Sequence, residues 1–188
     1  STSPDYDQRR TVLLRYSPSG VRDTAFRVVI ESSENTSGFT ASGETFMVPQ
    51  ADGKLIVSAT ALQRYNEDGT LDANFGSAGS ATQANHVTNL LSQPDGKIVT
   101  VSNGASRLIT RYNSDGTLDA TFGTGGVVTT SLGTSNPVSF GLLRQTNGKV
   151  VVAGSTSGQV VLKRYNTDGS LDTGFGVAGV FATNIFTT

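Results

Sequence analysis

Arg64-Tyr65-Asn66-Glu67-Asp68-Gly69-Thr70-Leu71-Asp72-Ala73-Asn74-Phe75-Gly76 decides the fold, because the chain repeats it. The phrase returns from Arg111-Tyr112-Asn113 through Asp115-Gly116-Thr117-Leu118-Asp119 to Phe122-Gly123. It returns again from Arg164-Tyr165-Asn166 through Asp168-Gly169-Ser170-Leu171-Asp172 to Phe175-Gly176. A worn copy opens the chain, with Arg15-Tyr16, Gly20, Asp23 and Phe26 in register. Successive tyrosines of the phrase lie 49, 47 and 53 residues apart. A period of that size marks a repeat architecture and suits propeller blades better than the shorter rungs of a β-helix.

A second marker recurs in the same rhythm. Asp52-Gly53-Lys54, Asp95-Gly96-Lys97 and Asn147-Gly148-Lys149 each sit between two short apolar runs. Asp-Gly and Asn-Gly flanked by β-rich runs signal a hairpin, because glycine takes positive φ without steric penalty. Strands are expected before these turns at 46–48, 90–92 and 142–144, and after them at 55–57, 98–101 and 150–153. A third strand leads into the main phrase (12–16, 62–65, 108–112, 160–165). A fourth follows it (28–30, 127–130, 180–183), with a weaker equivalent at 80–83. No stretch sustains helical periodicity with caps. The expectation is an all-β chain of four-stranded antiparallel units, β-propeller-like, with about three and a half blades. Residues 1–44 read as a degenerate half-unit and irregular linker. Residues 45–83, 84–133 and 134–188 read as three units of one continuous domain.

Strand alternation gives the phrase a physical job. Leu62 and Arg64 fall on one face and Gln63 and Tyr65 on the other, as do Leu13/Arg15, Ile109/Arg111 and Leu162/Arg164 in their copies. An arginine on an apolar face needs a partner, since an unpaired buried charge is costly. The Asp of each Leu-Asp step accompanies it (Asp72, Asp119, Asp172), and Asp23 does so in the worn copy. An Arg–Asp contact is expected inside each unit, with the following Phe plugging the core.

The phrase Arg-Tyr-Asn-x-Asp-Gly-Ser/Thr-Leu-Asp-x-x-Phe-Gly, with Gln93-Pro94-Asp95-Gly96-Lys97 and Gln145-Thr146-Asn147-Gly148-Lys149, resembles the delta-60 repeat family. The resemblance runs from about residue 45 onward. It implies a β-propeller-like array of large bacterial secreted or surface proteins, with no assigned activity. Residues 1–40 depart from the pattern: Ser17-Pro18-Ser19-Gly20 replaces Asn-x-Asp-Gly, and Arg22 replaces the Leu.

Composition narrows the function classes. Charged residues make up 15% of the chain and the net charge is −1, so no basic surface for nucleic acid is expected. Cysteine is absent, which removes disulfides, thiolate metal sites and Cys nucleophiles. No apolar run approaches the roughly 18 residues of a membrane span. The Ser/Thr/Gly/Asn-rich strands lean toward an extracellular, cell-surface or virion-surface protein. The start at Ser1 reads as a processed form or a fragment, and Asn35-Thr36-Ser37 fits a glycosylation sequon.

Catalytic signatures are weak. The single histidine, His86, sits in a polar stretch and reads as a surface residue. Gly154-Ser155-Thr156-Ser157-Gly158 carries Thr where a nucleophile elbow needs Ser, and it reads as a turn. Gly123-Thr124-Gly125-Gly126 precedes a strand instead of the helix a phosphate cradle needs. Calcium is the chemical alternative, because Asn66, Asp68 and Asp72 and their counterparts gather oxygens on a tight loop. An EF-hand pattern is nevertheless missing, and Asx-turn chemistry accounts for the loop without metal. The acids outside the repeat (Asp5, Asp7, Glu31, Glu34, Glu44) cluster toward the N-terminus.

The expectation is therefore no enzyme, no catalytic residue and no cofactor. The leading reading is an extracellular structural or adhesive repeat protein that self-associates, or joins another protein, by strand addition. Four copies of the phrase against three of the Gly-Lys hairpin leave half a unit over. That imbalance suits a piece of a longer array, a ring closing with a reduced first blade, or completion by another subunit. The alternative is a glycan- or protein-binding propeller with contact loops at 36–43 and 134–138, or a virion fibre or decoration protein.

Overall fold

The computed structural model describes residues 9–32, 45–59, 61–83, 85–103, 107–132, 138–156 and 158–184. Fourteen strands occur there: β1 (Arg9–Tyr16), β2 (Arg22–Ser32), β3 (Phe46–Pro49), β4 (Leu55–Ser58), β5 (Leu62–Tyr65), β6 (Ser80–Ala81) and β7 (His86–Ser92) in the first half. The second half holds β8 (Ile98–Asn103), β9 (Arg107–Tyr112), β10 (Val127–Thr130), β11 (Val138–Arg144), β12 (Val150–Thr156), β13 (Gln159–Tyr165) and β14 (Val180–Asn184). The described residues contain no helix.

Strands pair in sequence order as antiparallel meanders: a two-stranded β1-β2 hairpin, then β3-β4-β5-β6, β7-β8-β9-β10 and β11-β12-β13-β14. The chain is all-β and β-propeller-like, with three four-stranded blades and a half-blade. It divides into two compact units, Ser1–Thr82 and Gln83–Thr188.

Each Gly-Lys marker turns a hairpin, though by a longer loop than a two-residue turn. The amide of Gln50 donates to the carbonyl of Lys54 (2.8 Å), and that of Gly53 donates to Gln50 (3.1 Å). Gly53, Gly96 and Gly148 take φ of 82°, 79° and 85°, so the left-handed residue is the glycine alone.

In the first unit the half-blade packs on the full blade: Leu13, Phe26, Val28 and Ile30 meet Val57 and Tyr65. In the second, Val99, Val101, Ile109, Phe122 and Leu132 of one blade meet Val150, Val152, Val161 and Tyr165 of the next. Each sheet alone is too thin to hold a dry interior. Stacking one blade face on its neighbour supplies the core, which is why the apolar positions repeat with the unit.

Four local expectations change. The worn copy folds as a plain hairpin, with β2 beginning at Arg22 directly after the turn, where other copies insert a compact loop before their fourth strand. Ser80–Gln83 forms only a two-residue strand, Ser80–Ala81. His86 is the half-buried first residue of β7, in register with Asn103, because β7 starts earlier than its apolar run suggested. Gly154–Thr156 lies within β12 instead of a turn.

Candidate functional site

The recurring phrase builds the same cluster at one end of every blade. The last strand residue before the turn, Tyr65, Tyr112 or Tyr165, bridges back to the Leu of the Leu-Asp step. The loop between is an Asx turn. In the second blade, Asp115 Oδ1 accepts from the amide of Thr117 at 2.9 Å and from its hydroxyl at 2.6 Å, and Asn113 Nδ2 donates to the same hydroxyl at 3.0 Å. The equivalents Asp68/Thr70 and Asp168/Ser170 repeat this geometry. Of the oxygens that suggested calcium, those of Asp68, Asp115 and Asp168 are thus turned onto their own loops.

The closed loop delivers the second Asp beneath the strand. Arg111 Nε donates to Asp119 Oδ2 at 2.6 Å, Arg64 Nε to Asp72 Oδ2 at 2.7 Å and Arg164 Nε to Asp172 Oδ2 at 2.6 Å. Arg15 makes the same pair with Asp23 at the surface. The expected contact is present in all four copies.

Sequence reasoning missed the third member. Lys54, Lys97 and Lys149, the lysines of the hairpin marker, each place Nζ 2.7–2.8 Å from the same carboxylate oxygen as the arginine. The other oxygen accepts backbone amides: Asn74, Thr121 and Gly174 donate to Asp72, Asp119 and Asp172 respectively. The signal was in the sequence, since the Lys is present in every unit that has the full phrase.

Electrostatics follow from this geometry. The Lys54 ammonium, with Arg64 and the Asn74 amide, holds the Asp72 carboxyl at about 2, below its ordinary 3.8. Lys149 does the same for Asp172, also at about 2. Burial pushes Asp119 upward, but Lys97, Thr121 and Arg111 outweigh it and keep the carboxyl well below its usual range. These carboxylates are pinned as anions, the opposite of a general acid.

Each guanidinium also stacks on the Phe of its phrase, at 4.8, 4.8, 4.5 and 4.6 Å for Arg15/Phe26, Arg64/Phe75, Arg111/Phe122 and Arg164/Phe175. Phe75 and Phe122 are fully buried and Phe26 nearly so, as expected of a core plug, but Phe175 is only partly buried.

One nitrogen of the fork reaches onward. Arg111 Nη1 donates to the carbonyl of Thr167 in the next blade at 2.5 Å, and the amide of Gly123 donates to the carbonyl of Asp168 at 2.8 Å. In the first unit, Arg15 Nη1 donates to the carbonyl of Glu67 at 2.6 Å. In these two copies the phrase braces its own blade and clasps the turn of the following one.

His86 lies in β7, away from these carboxylates in the register, and no cluster of three or more His, Asp or Glu side chains that could hold a metal occurs among the described residues. The expected contact loop at 36–43, the sequon, Asp5, Asp7, Glu34 and Glu44 lie outside the described residues, as does the loop expected at 134–138 except for Val138, which opens β11.

Residues 50–75, 93–122 and 145–175 match the family described as "Domain of unknown function (DUF5122) beta-propeller". No curated protein matches the chain. Each matched segment runs from a Gly-Lys hairpin to the end of its Arg-Tyr phrase, the stretch that forms a Lys–Asp–Arg brace. The chain thus has an all-β, β-propeller-like repeat fold, and in these three segments it is similar to that family.

Proposed function

We propose that the chain is a non-catalytic structural module of the delta-60 repeat type, extracellular or on a cell or virion surface, which self-associates through open strand edges. The observation that carries this reading is the half-blade. Strands β5, β9 and β13 each pair on both sides, whereas their counterpart β1 pairs with β2 alone among the described residues. Val12, Leu14 and Tyr16 stand exposed along one face of β1. An eight-residue strand with one edge unpaired among the described residues, and with an apolar face, is a template for strand addition. The absence of catalysis is supported by the repeat acids, whose carboxylates are committed to the braces.

Light scattering across a concentration series tests this reading, which expects mass to rise with concentration. Val12→Lys with Leu14→Lys should lower that association, because charges on an edge oppose strand pairing. A mass that stays monomeric throughout overturns it.

A second reading has one observation in its favour. A cavity of about 440 Å³ lies between the half-blade and β3–β5, lined by Val12, Leu14, Met47, Pro49, Lys54 and Asn66 among others. That volume suits a small ligand such as a glycan unit. A saturable glycan-array signal abolished by Met47→Arg would favour a binding propeller over a structural module.

A further inference from the structure

Among the described residues, the brace around Arg164 is a socket that no turn fills, and the Ser17–Gly20 turn is a plug that no socket holds. Inside the second unit the complete joint is visible. Arg111 and the amide of Gly123 hold the carbonyls of Thr167 and Asp168, and Gly169 closes against them, since a Cβ there would fall 2.8 Å from the Gly123 amide and 3.1 Å from the Phe122 ring. In the first unit, Arg15 holds the Glu67 carbonyl and Gly69 lies against Phe26. Two joints share one rule: the Arg-Phe end of one blade receives the x and Asp-Gly positions of the next turn.

At Arg164 the rule is unmet. Among the described residues its Nη1 reaches only the side chain of Gln145, at 3.5 Å. Its side chain is 21% exposed where that of Arg111 is 9%. Phe175 is half-buried where Phe122 is fully buried, and the amide of Gly176 has no counterpart of the Asp168 carbonyl among the described residues. At the other end, the turn Ser17-Pro18-Ser19-Gly20 is exposed, and nothing lies within 4 Å of a Cβ placed on Gly20. Its backbone nevertheless has the plug geometry. Gly20 N donates to Ser17 O at 2.9 Å and Ser17 N to Val21 O at 2.8 Å, as Gly169 N does to Asn166 O at 3.0 Å and Asn166 N to Ser170 O at 2.8 Å. Gly20 and Gly169 have φ of 80° and 85°. The worn sequence has kept the backbone shape, and the clasp reads backbone carbonyls.

We propose that the Arg164/Phe175/Gly176 socket of one copy of this chain receives the Ser17–Gly20 turn of a second copy, Arg164 taking the Pro18 carbonyl and Gly176 the Ser19 carbonyl. Copies then join head to tail, a heterologous contact that propagates. This rests on the self-association reading but moves the contact from strand edge to blade face.

The native chain has no cysteine, so single thiols report the joint. Chains carrying Ser19→Cys are mixed with chains carrying Val177→Cys, the latter beside the Gly176 amide, and treated with a short bis-maleimide. The expected result is a mixed dimer exceeding either homodimer. Ser19→Lys, a change confined to the exposed turn, sets a cation against Arg164 and is expected to weaken association at least about tenfold. Equal yields of all pairings, or a Ser19→Cys/Val177→Cys chain that links only within itself, overturn the head-to-tail joint. If light scattering still shows assembly in that case, the edge reading stands and only the socket fails. A monomer at every concentration, with no mixed dimer, removes both.

Discussion

Arg111 donates to Asp119 through Nε across 2.6 Å while its guanidinium lies on the Phe122 ring and its Nη1 reaches the next blade. One side chain therefore ties the strand, the loop and the neighbouring blade. Removing it leaves a carboxylate that is 3% exposed with only Lys97 as a cationic partner. Arg111→Met is expected to cost about 3 kcal/mol, near the lower end for breaking a buried pair, because the lysine remains. Arg111→Met with Asp119→Leu should cost clearly less than the sum of the single changes, a non-additivity read by denaturant unfolding. Additive losses would mean that the two side chains act independently.

The braces predict an acid limit. Carboxyls whose pKa is lower folded than unfolded bind protons more tightly in the unfolded chain. Their stabilisation is therefore complete above the unfolded value and is lost as pH falls through the folded one. For Asp72 and Asp172 that window runs from 3.8 down to about 2. Thermal unfolding should be nearly flat from about pH 7 to 5 and fall steeply below about pH 4. Asp72→Asn should lower the plateau and shallow the acid slope. An unchanged slope would place the acid sensitivity elsewhere.

The blade count, strand order and Arg–Asp pair were legible because each depends on local pattern: alternation, turn glycines and a charge that recurs with its counter-charge. The lysine was read only as hairpin punctuation. Nothing local announces that Lys97 and Asp119, 22 residues apart, converge. The interblade clasp was less legible still, since its acceptors are the carbonyls of Glu67 and Thr167, and a carbonyl leaves no mark on side-chain identity. The same physics explains why the first turn could lose its Asn and Asp and keep its shape.

Glycines in the loop after the Phe separate by what surrounds them. A Cβ on Gly123 would meet the Val127 carbonyl oxygen at 2.3 Å, whereas one on Gly125 meets nothing within 4 Å. Both have positive φ, at 56° and 59°. Ala78 and Ala178 occupy the position equivalent to Gly125 at φ 49° and 50°, so alanine is tolerated there. Gly125→Ala is expected to cost about 1 kcal/mol, the left-handed penalty alone. Gly123→Ala should exceed about 3 kcal/mol, because backbone must also move. Conversely, Ala178→Gly should be neutral or slightly stabilising. Equal losses at 123 and 125 in urea titrations would contradict the clash.

Phe122 and Phe175 have the same place in their phrases and different surroundings. Phe122 is fully buried under the next blade, and Phe122→Ala is expected to cost about 3–5 kcal/mol. Phe175 keeps the Arg164 stack but lacks that cover, so Phe175→Ala should cost about half as much in dilute chain. The two losses should converge as concentration rises, because a docked second copy would bury Phe175 as the next blade buries Phe122. Urea unfolding of both variants over a hundredfold range of concentration measures this. A gap that stays constant would assign the difference to the blades themselves and not to an unfilled socket.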